Sequence, residues 1–175
     1  MEKLFLEHGY TSLNKKGEEL CGDKVECIAD GGHTTLVLAD GLGSGVKANI
    51  LATLTSKILC TMVANEMSMD ECVETVVQTL PVCKVRQVAY ATFSVVHLGT
   101  DGKGWLFEFD NPEAILIRDG KTADFERVER DILGKKVYGT RLELRPDDYI
   151  VLMSDGVIHA GIGKTLNYGW QHEQV

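Results

Sequence analysis

The sequence predicts an α+β fold in which antiparallel sheets pack against helices. Three observations carry that expectation. Short apolar runs come in blocks separated by tight turns, several of them built on Asp-Gly or Gly-Gly, which marks hairpins. Two helical periodicities lie side by side in the chain rather than alternating with strands. A doubly wound parallel sheet needs that alternation, so the order argues against one. The 175 residues show no linker, repeat or composition break and read as a single domain, 1–175, with room for a proper core.

In chain order, KLFLEHGY (Lys3 to Tyr10) reads as an opening strand. VECIAD and TTLVLAD follow as two strands joined by a GGH turn. From about Val46 to Met67 apolar residues recur at helical spacing: Val46, Ile50, Leu51, Leu54, Ile58, Leu59, Met62 and Val63. That stripe is core or partner surface, not a cofactor box. A second helix begins at Ser68, where Ser68 and Glu71 form a capping box. Met69, Cys72, Val73, Val76, Val77 and Leu80 form its apolar stripe, with Pro81 at its end. ATFSVVHL, WLFEF and AILIR are rich in β-branched and aromatic residues and read as strands. TDGKG and RDGK are tight turns between strands. FERVER and RLELR are two more strands, and DYIVLMSD follows the turn Arg145-Pro146-Asp147-Asp148. The tail from Gly161 has no clear period.

Charge and cysteines narrow the function classes. The formal net charge is -8, against a nucleic-acid partner, because phosphate contacts need clustered Lys and Arg. An acidic chain suits divalent cations or basic partner surfaces, although many solvated proteins are equally acidic. The five cysteines, Cys21, Cys27, Cys60, Cys72 and Cys83, include no CxxC pair and are odd in number. That argues against a zinc knuckle or a thioredoxin-like motif and for free thiols in a reduced compartment. MEKLFLEHGY carries early acids and is no signal peptide, and no run approaches the ~20 apolar residues of a membrane helix. The expectation is a cytoplasmic protein with no membrane partner.

Two stretches carry the chemistry. In LVLADGLGSG an apolar strand runs into Asp40 and a glycine-rich turn. In IVLMSDGVI another apolar strand runs into Asp155-Gly156. Each alone is a plain turn former. Together they predict two buried strands whose terminal carboxylates need hydrogen bonds or a cation. If both strands end on one edge, the carboxylates converge and suit hard ions such as Mg2+ or Mn2+. Asp23, in ELCGDKVE, adds a third carboxylate. The glycine-rich turn after Asp40 then serves phosphate indirectly: Asp40 holds a metal, and the metal meets the phosphate.

CGD (Cys21 to Asp23), ADGLGSGVKA (Ala39 to Ala48) and MSDGVIHAG (Met153 to Gly161) resemble the stage II sporulation protein E branch of the metal-dependent protein phosphatases, the protein phosphatase 2C group. The resemblance runs in order along nearly the whole chain. It implies a four-layer α-β-β-α sandwich with central antiparallel β-sheets. It also implies a binuclear centre of two Mn2+ or Mg2+ ions that hydrolyses phosphoserine and phosphothreonine in proteins. By motif match, Asp40 bridges the two metals, the Gly41 carbonyl ligates one, Asp155 is a further ligand and Asp23 sits at the site edge. Asp40 and Asp155 thus act in catalysis through metal-activated water, with no nucleophilic side chain. The implied substrate is a phosphorylated protein, such as a STAS-fold anti-anti-sigma-like partner in partner-switching regulation. The family ends with a further strand carrying a metal-binding aspartate, and this chain reaches Val175 without it. Asp147 and Asp148 precede the MSDG strand and are not that element. A C-terminally incomplete domain is therefore expected, with weak metal binding, low activity, or a strand borrowed in a homodimer.

Other readings stay open. A phosphatase-like module that binds a partner without turnover is one alternative. A nucleotide-binding α/β domain is another, though the dinucleotide fingerprint needs glycine where Val46 stands. Ser44 is a helix cap or a phosphate contact. His159 is a surface histidine or an aid to leaving-group protonation. Cys21 is an inert thiol or a redox-sensitive one. Asn111, in EFDNPEAIL, belongs to a site-edge loop or to a proline-stiffened turn.

Overall fold

The computed structural model describes residues 3–79, 91–162 and 168–170. A six-stranded antiparallel sheet has the order β1-β2-β3-β4-β8-β7. Its members are β1 (Asp23–Asp30), β2 (His33–Gly41), β3 (Ala91–Gly99), β4 (Lys103–Phe109), β7 (Val128–Ile132) and β8 (Lys135–Glu143). A three-stranded sheet has the order β6-β5-β9, from β5 (Ile115–Arg118), β6 (Lys121–Ala123) and β9 (Tyr149–Val151). Two helices, α1 (Gly45–Ala64) and α2 (Met69–Thr79), lie between β2 and β3 in sequence, as the helical periodicities predict. A one-turn helix, α3 (Asp155–Ile158), follows β9.

The alternation of strand side chains builds two cores. Val37, Ala39, Phe93, Val95, Phe107 and Phe109 face the helices and pack with Leu59, Val63, Cys72 and Val73. Val96, Leu98, Leu106 and Leu142 point to the opposite face, where Ala114, Ile150 and Leu152 meet them from the three-stranded sheet and its continuation. The described residues thus stack helices, large sheet and small sheet in layers, the α+β arrangement read from the element order.

Several elements differ from the sequence reading. KLFLEHGY is not a strand; it joins the body through Leu4 N–H donating to the Thr100 carbonyl and through Leu6 in the second core. β9 stops at Val151, short of the Asp155 expected at its end. FERVER begins its pairing only at Val128. β8 starts at Lys135, because Leu133 and Gly134, both at positive φ, turn the chain there. Leu80 and Pro81 lie outside the described residues. The GGH turn forms as read: Gly31 and Gly32 at φ of 58° and 89° make the two-residue hairpin that favours glycine.

On α1 the buried face is Ala48, Ala52, Thr55, Ser56, Leu59, Cys60 and Val63. Val46, Ile50 and Leu54 are exposed. The helix is apolar nearly all round, so periodicity did not select its inner face. Close approach to the sheet selected the small residues. By length and composition α1 is also apolar enough to cross a membrane, contrary to the expectation that no run approaches that length; here its small-residue face lies on the sheet.

The capping box on α2 is reciprocal: Ser68 N–H donates to Glu71 Oε2 at 2.9 Å and Glu71 N–H to Ser68 Oγ at 3.3 Å. Ser68→Ala is expected to cost about 1 kcal/mol in a urea-unfolding measurement.

Arg118 ties β5 to the turn before β9, its Nε donating to Asp148 Oδ1 at 3.0 Å. Hydrogen bonds from Arg118 hold the Asp148 carboxyl below its ordinary 3.8. A depressed carboxylate stabilises the fold above its unfolded value and loses that stabilisation as pH falls through the folded value. The acid limb of a melting-temperature profile should therefore be shallower below pH 3.8 in Asp148→Asn than in the native chain.

The described cysteines, Cys21, Cys27, Cys60 and Cys72, are free thiols, as expected; Cys83 lies outside the described residues.

Candidate metal centre

Asp23 opens β1 and Asp40 lies one residue from the end of β2, and the register sets them directly opposite each other. Direct antiparallel partners share a face with Cβ atoms about 5 Å apart. That face is the one turned to the second sheet, because Val37 and Ala39 alternate with Asp40 and point to the helices. Asp155 arrives from the other sheet as the first residue of α3. The residue before it, Ser154, is buried, and its Oγ donates to Asp23 Oδ2 at 2.8 Å. The three aspartates of the sequence motifs therefore come together, although Asp155 does so from a helix start and not from a strand end.

Local packing explains the small residues around them. The Cys21 carbonyl accepts from Asn49 Nδ2 at 2.9 Å, anchoring β1 to α1. Gly41 N–H donates to the Gly22 carbonyl at 3.1 Å. A Cβ on Gly41 would stand 2.0 Å from the Ala48 carbonyl oxygen, so α1 crosses β2 with only hydrogen between the backbones.

Asp40 shows the electrostatic cost. Its carboxyl is pushed up to about 8, first by burial, then by the charges of Asp23 and Asp155, then by hydrogen bonds with both. A buried carboxyl facing two others holds a proton near neutral pH unless a cation compensates. Among the described residues no three His, Cys, Asp or Glu side chains stand at ready-made ligand spacing. The donor set nevertheless fits a hard divalent cation: it is all oxygen, crowded with carboxylate, and strained by its own repulsion.

The cluster borders a cavity of about 680 Å³, lined by Asp40, Gly41, Gly43, Asp155, Arg127 and Tyr138 among others. Thr92, paired with Asp40 across β2 and β3, donates from Oγ1 to Asn111 Oδ1 at 2.5 Å. Asn111 Nδ2 in turn donates to Ser94 Oγ at 3.0 Å. Asn111 is thus held in the cavity wall, which favours the site-edge reading over a mere turn residue. His159 also lines the cavity, with Nδ1 3.8 Å from Asp155 Oδ2. Ser44 occupies the cap position of α1 but makes no side-chain cap bond; its Oγ donates to Glu18 Oε1 at 2.9 Å. That corrects the capping expectation: the hydroxyl found a carboxylate on the preceding segment. Cys21 Sγ accepts from Asp23 N–H at 3.4 Å.

Thr92, Ser154, Arg127 and Tyr138 were not legible as site residues. Thr92 follows from the β2–β3 register, and Ser154 from its place beside Asp155. Arg127 and Tyr138 carry no motif, and only the fold-back of β7 and β8 brings them to the cavity.

A sequence profile described as Stage II sporulation protein E (SpoIIE) matches residues 30–172. No functionally curated protein matches the chain. Among solved structures, the RsbU and RsbW domains of Rv1364c from Mycobacterium tuberculosis superpose with a TM-score of 0.69 at 22% identity, over 87% of this chain and 44% of that one. The PP2C phosphatase domain with a regulatory fragment of SpoIIE from Bacillus subtilis gives 0.70 at 18%, over 85% and 45%. RsbX in complex with magnesium gives 0.64 at 22%, over 83% and 71%. The chain spans less than half the length of the first and second of these. At such identities the superpositions establish a shared fold.

Proposed function

Since the chain belongs to the stage II sporulation protein E family, we propose that it is a metal-dependent phosphatase of phosphoserine and phosphothreonine in proteins. The observation that carries the proposal is the convergence of Asp23, Asp40 and Asp155, the last two of which line a cavity of about 680 Å³. Asp40, Asp155, Asp23 and the Gly41 carbonyl would hold two Mn2+ or Mg2+ ions. Bound divalent cations there supply an acidified water and neutralise phosphoryl charge. RsbX, of the same fold, is described in complex with magnesium.

The chain's own residues have definable tasks. A divalent cation at this site would favour the ionised form of Asp40, whose proton is otherwise held first by burial and then by the charges of Asp23 and Asp155. Ser154 fixes the orientation of Asp23 by donating to one of its oxygens. Asn111, immobilised by Thr92 and Ser94, presents a rigid polar wall to the substrate. His159, beside Asp155 and half-exposed, is placed to donate a proton to the departing Ser or Thr oxygen. We assign the substrate to the phosphorylated STAS-like partners of switching systems and the location to the cytoplasm; structural neighbours that include RsbU and RsbW domains and a bacterial stressosome protein support the partner class.

Hydrolysis of p-nitrophenyl phosphate with Mn2+ tests the proposal. EDTA should abolish turnover, and Asp155→Asn should lower it by about a hundredfold or more. A folded native chain that binds Mn2+ but turns over nothing is either an incomplete domain or a phosphatase-like binding module, and turnover by a longer chain separates the two.

A further inference from the structure

We propose that Arg127 forms a second anion subsite in the cavity, which selects phosphoprotein substrates carrying an acidic side chain a few residues from the phosphorylated one. The inference rests on reading this cavity as a phosphoprotein site. Among the cavity's described lining, Arg127 is the single Arg or Lys, against Asp40, Asp110, Glu113 and Asp155.

Its guanidinium is held in place before any ligand arrives. Nε and one terminal nitrogen each lie 3.0 Å from Glu108 Oε2, and the other terminal nitrogen lies 3.1 Å from Glu113 Oε2. The guanidinium carbon sits 4.3 Å from the centroid of the Tyr138 ring. Glu108 is buried and receives the Ala114 N–H at 2.7 Å, so the anchor beneath Arg127 is rigid. A guanidinium carries five N–H donors, more than these two carboxylates engage, and its planar fork suits a further carboxylate or phosphate. Glu113 is half-exposed and can exchange with an incoming anion.

Sheet geometry separates this subsite from the aspartates. Asp40 pairs with Thr92, and Glu108 pairs with Ser94, all on the face turned to the second sheet. From Asp40 to Glu108 is two strand spacings across and two residues along, roughly 12 Å. A phosphoryl group bound through cations at Asp40 and Asp155 would leave Arg127 for a different group of the same substrate. An extended peptide covers that span in about two to four residues. The acidic lining disfavours an anion elsewhere in the cavity, and at Arg127 an incoming carboxylate must take the place of Glu113, which makes the subsite selective rather than generally sticky.

The test compares phosphothreonine peptides bearing Glu, or Ala, at positions two to four residues from the phosphothreonine, with the native chain in Mn2+. The native kcat/KM is expected to favour the Glu peptide about tenfold, mainly through KM, the size of one charge-assisted pair. Arg127→Met should bring the ratio to about one. Arg127→Lys, which still neutralises Glu108, serves if the methionine variant fails to fold, and should reduce the ratio. Glu113→Gln, which removes the competing carboxylate, should increase it. An equal ratio in native and Arg127 variants overturns the inference, and so does an equal fall for both peptides, since that places Arg127 on the phosphoryl group itself. Anisotropy of the same peptides, fluorescently labelled, reads binding without turnover. If nothing is hydrolysed but binding still shows the Arg127-dependent preference, the subsite stands and the phosphatase reading fails.

Discussion

Asp40→Asn is expected to raise the melting temperature of the chain in EDTA and to abolish its stabilisation by Mn2+. Asp40 is buried against Asp23 and Asp155, and its raised carboxyl reports an unfavourable charge at that position. Asparagine keeps the shape, offers an amide donor to both neighbours and is neutral without taking up a proton, so the metal-free variant avoids the cost of protonating a buried carboxyl without losing its contacts. A gain of a few degrees is expected, the sign found when a functional site is strained for its ligand. The native chain should gain about 2.7 kcal/mol at a Mn2+ concentration a hundred times the dissociation constant. For a domain of this size that is roughly 5–10 °C. A scanning thermal melt with and without Mn2+ reads both effects. A variant that melts lower in EDTA and still gains from Mn2+ would show that Asp40 is a structural residue and not a ligand.

Gly41→Ala should be the most damaging small substitution near the site. The added Cβ would lie 2.0 Å from the Ala48 carbonyl oxygen and 2.7 Å from its carbon, both backbone atoms of α1. No rotamer change relieves such a contact, so α1 must move off β2. Overpacking of this kind costs about 3 kcal/mol or more, a fall of roughly 6–12 °C. Because Asp40 is the adjacent residue, the shift should also weaken the Mn2+ response. Gly156→Ala is the control: its nearest outside atom to a new Cβ is Ser154 Oγ at 3.8 Å, and the residue is helical, so its stability should change by less than about 0.5 kcal/mol. If Gly41→Ala unfolds at the same denaturant concentration as Gly156→Ala, the close crossing of α1 over β2 is wrong.

The legible parts of the fold were those with local chemistry. The hairpin at Gly31-Gly32 needs two positive φ angles, and glycine provides them. The capping box at Ser68 and Glu71 is satisfied within one turn of helix. β2, β3 and β4 are rich in β-branched, aliphatic and aromatic residues, and each formed close to the expected bounds. Elements that failed depend on distant partners. KLFLEHGY has strand-like composition but no unpaired edge received it as a strand. β9 is cut to Tyr149–Val151 because it pairs only along Ile115–Ile117 of β5. The inner face of α1 was hidden because a helix apolar nearly all round has no periodic signal to read.

By itself the sequence determined the fold class, the family and the carboxylates that converge. Aspartate after an apolar strand, followed by glycine, states a chemical need that few arrangements satisfy. Only the tertiary structure decided how Asp155 reaches Asp40, what holds Asp23, and that Arg127 lines the same cavity. Those facts depend on register between strands far apart in sequence. A one-residue slip would turn Asp23, Asp40 or Glu108 to the opposite face, and no local pattern records which register the packed cores select.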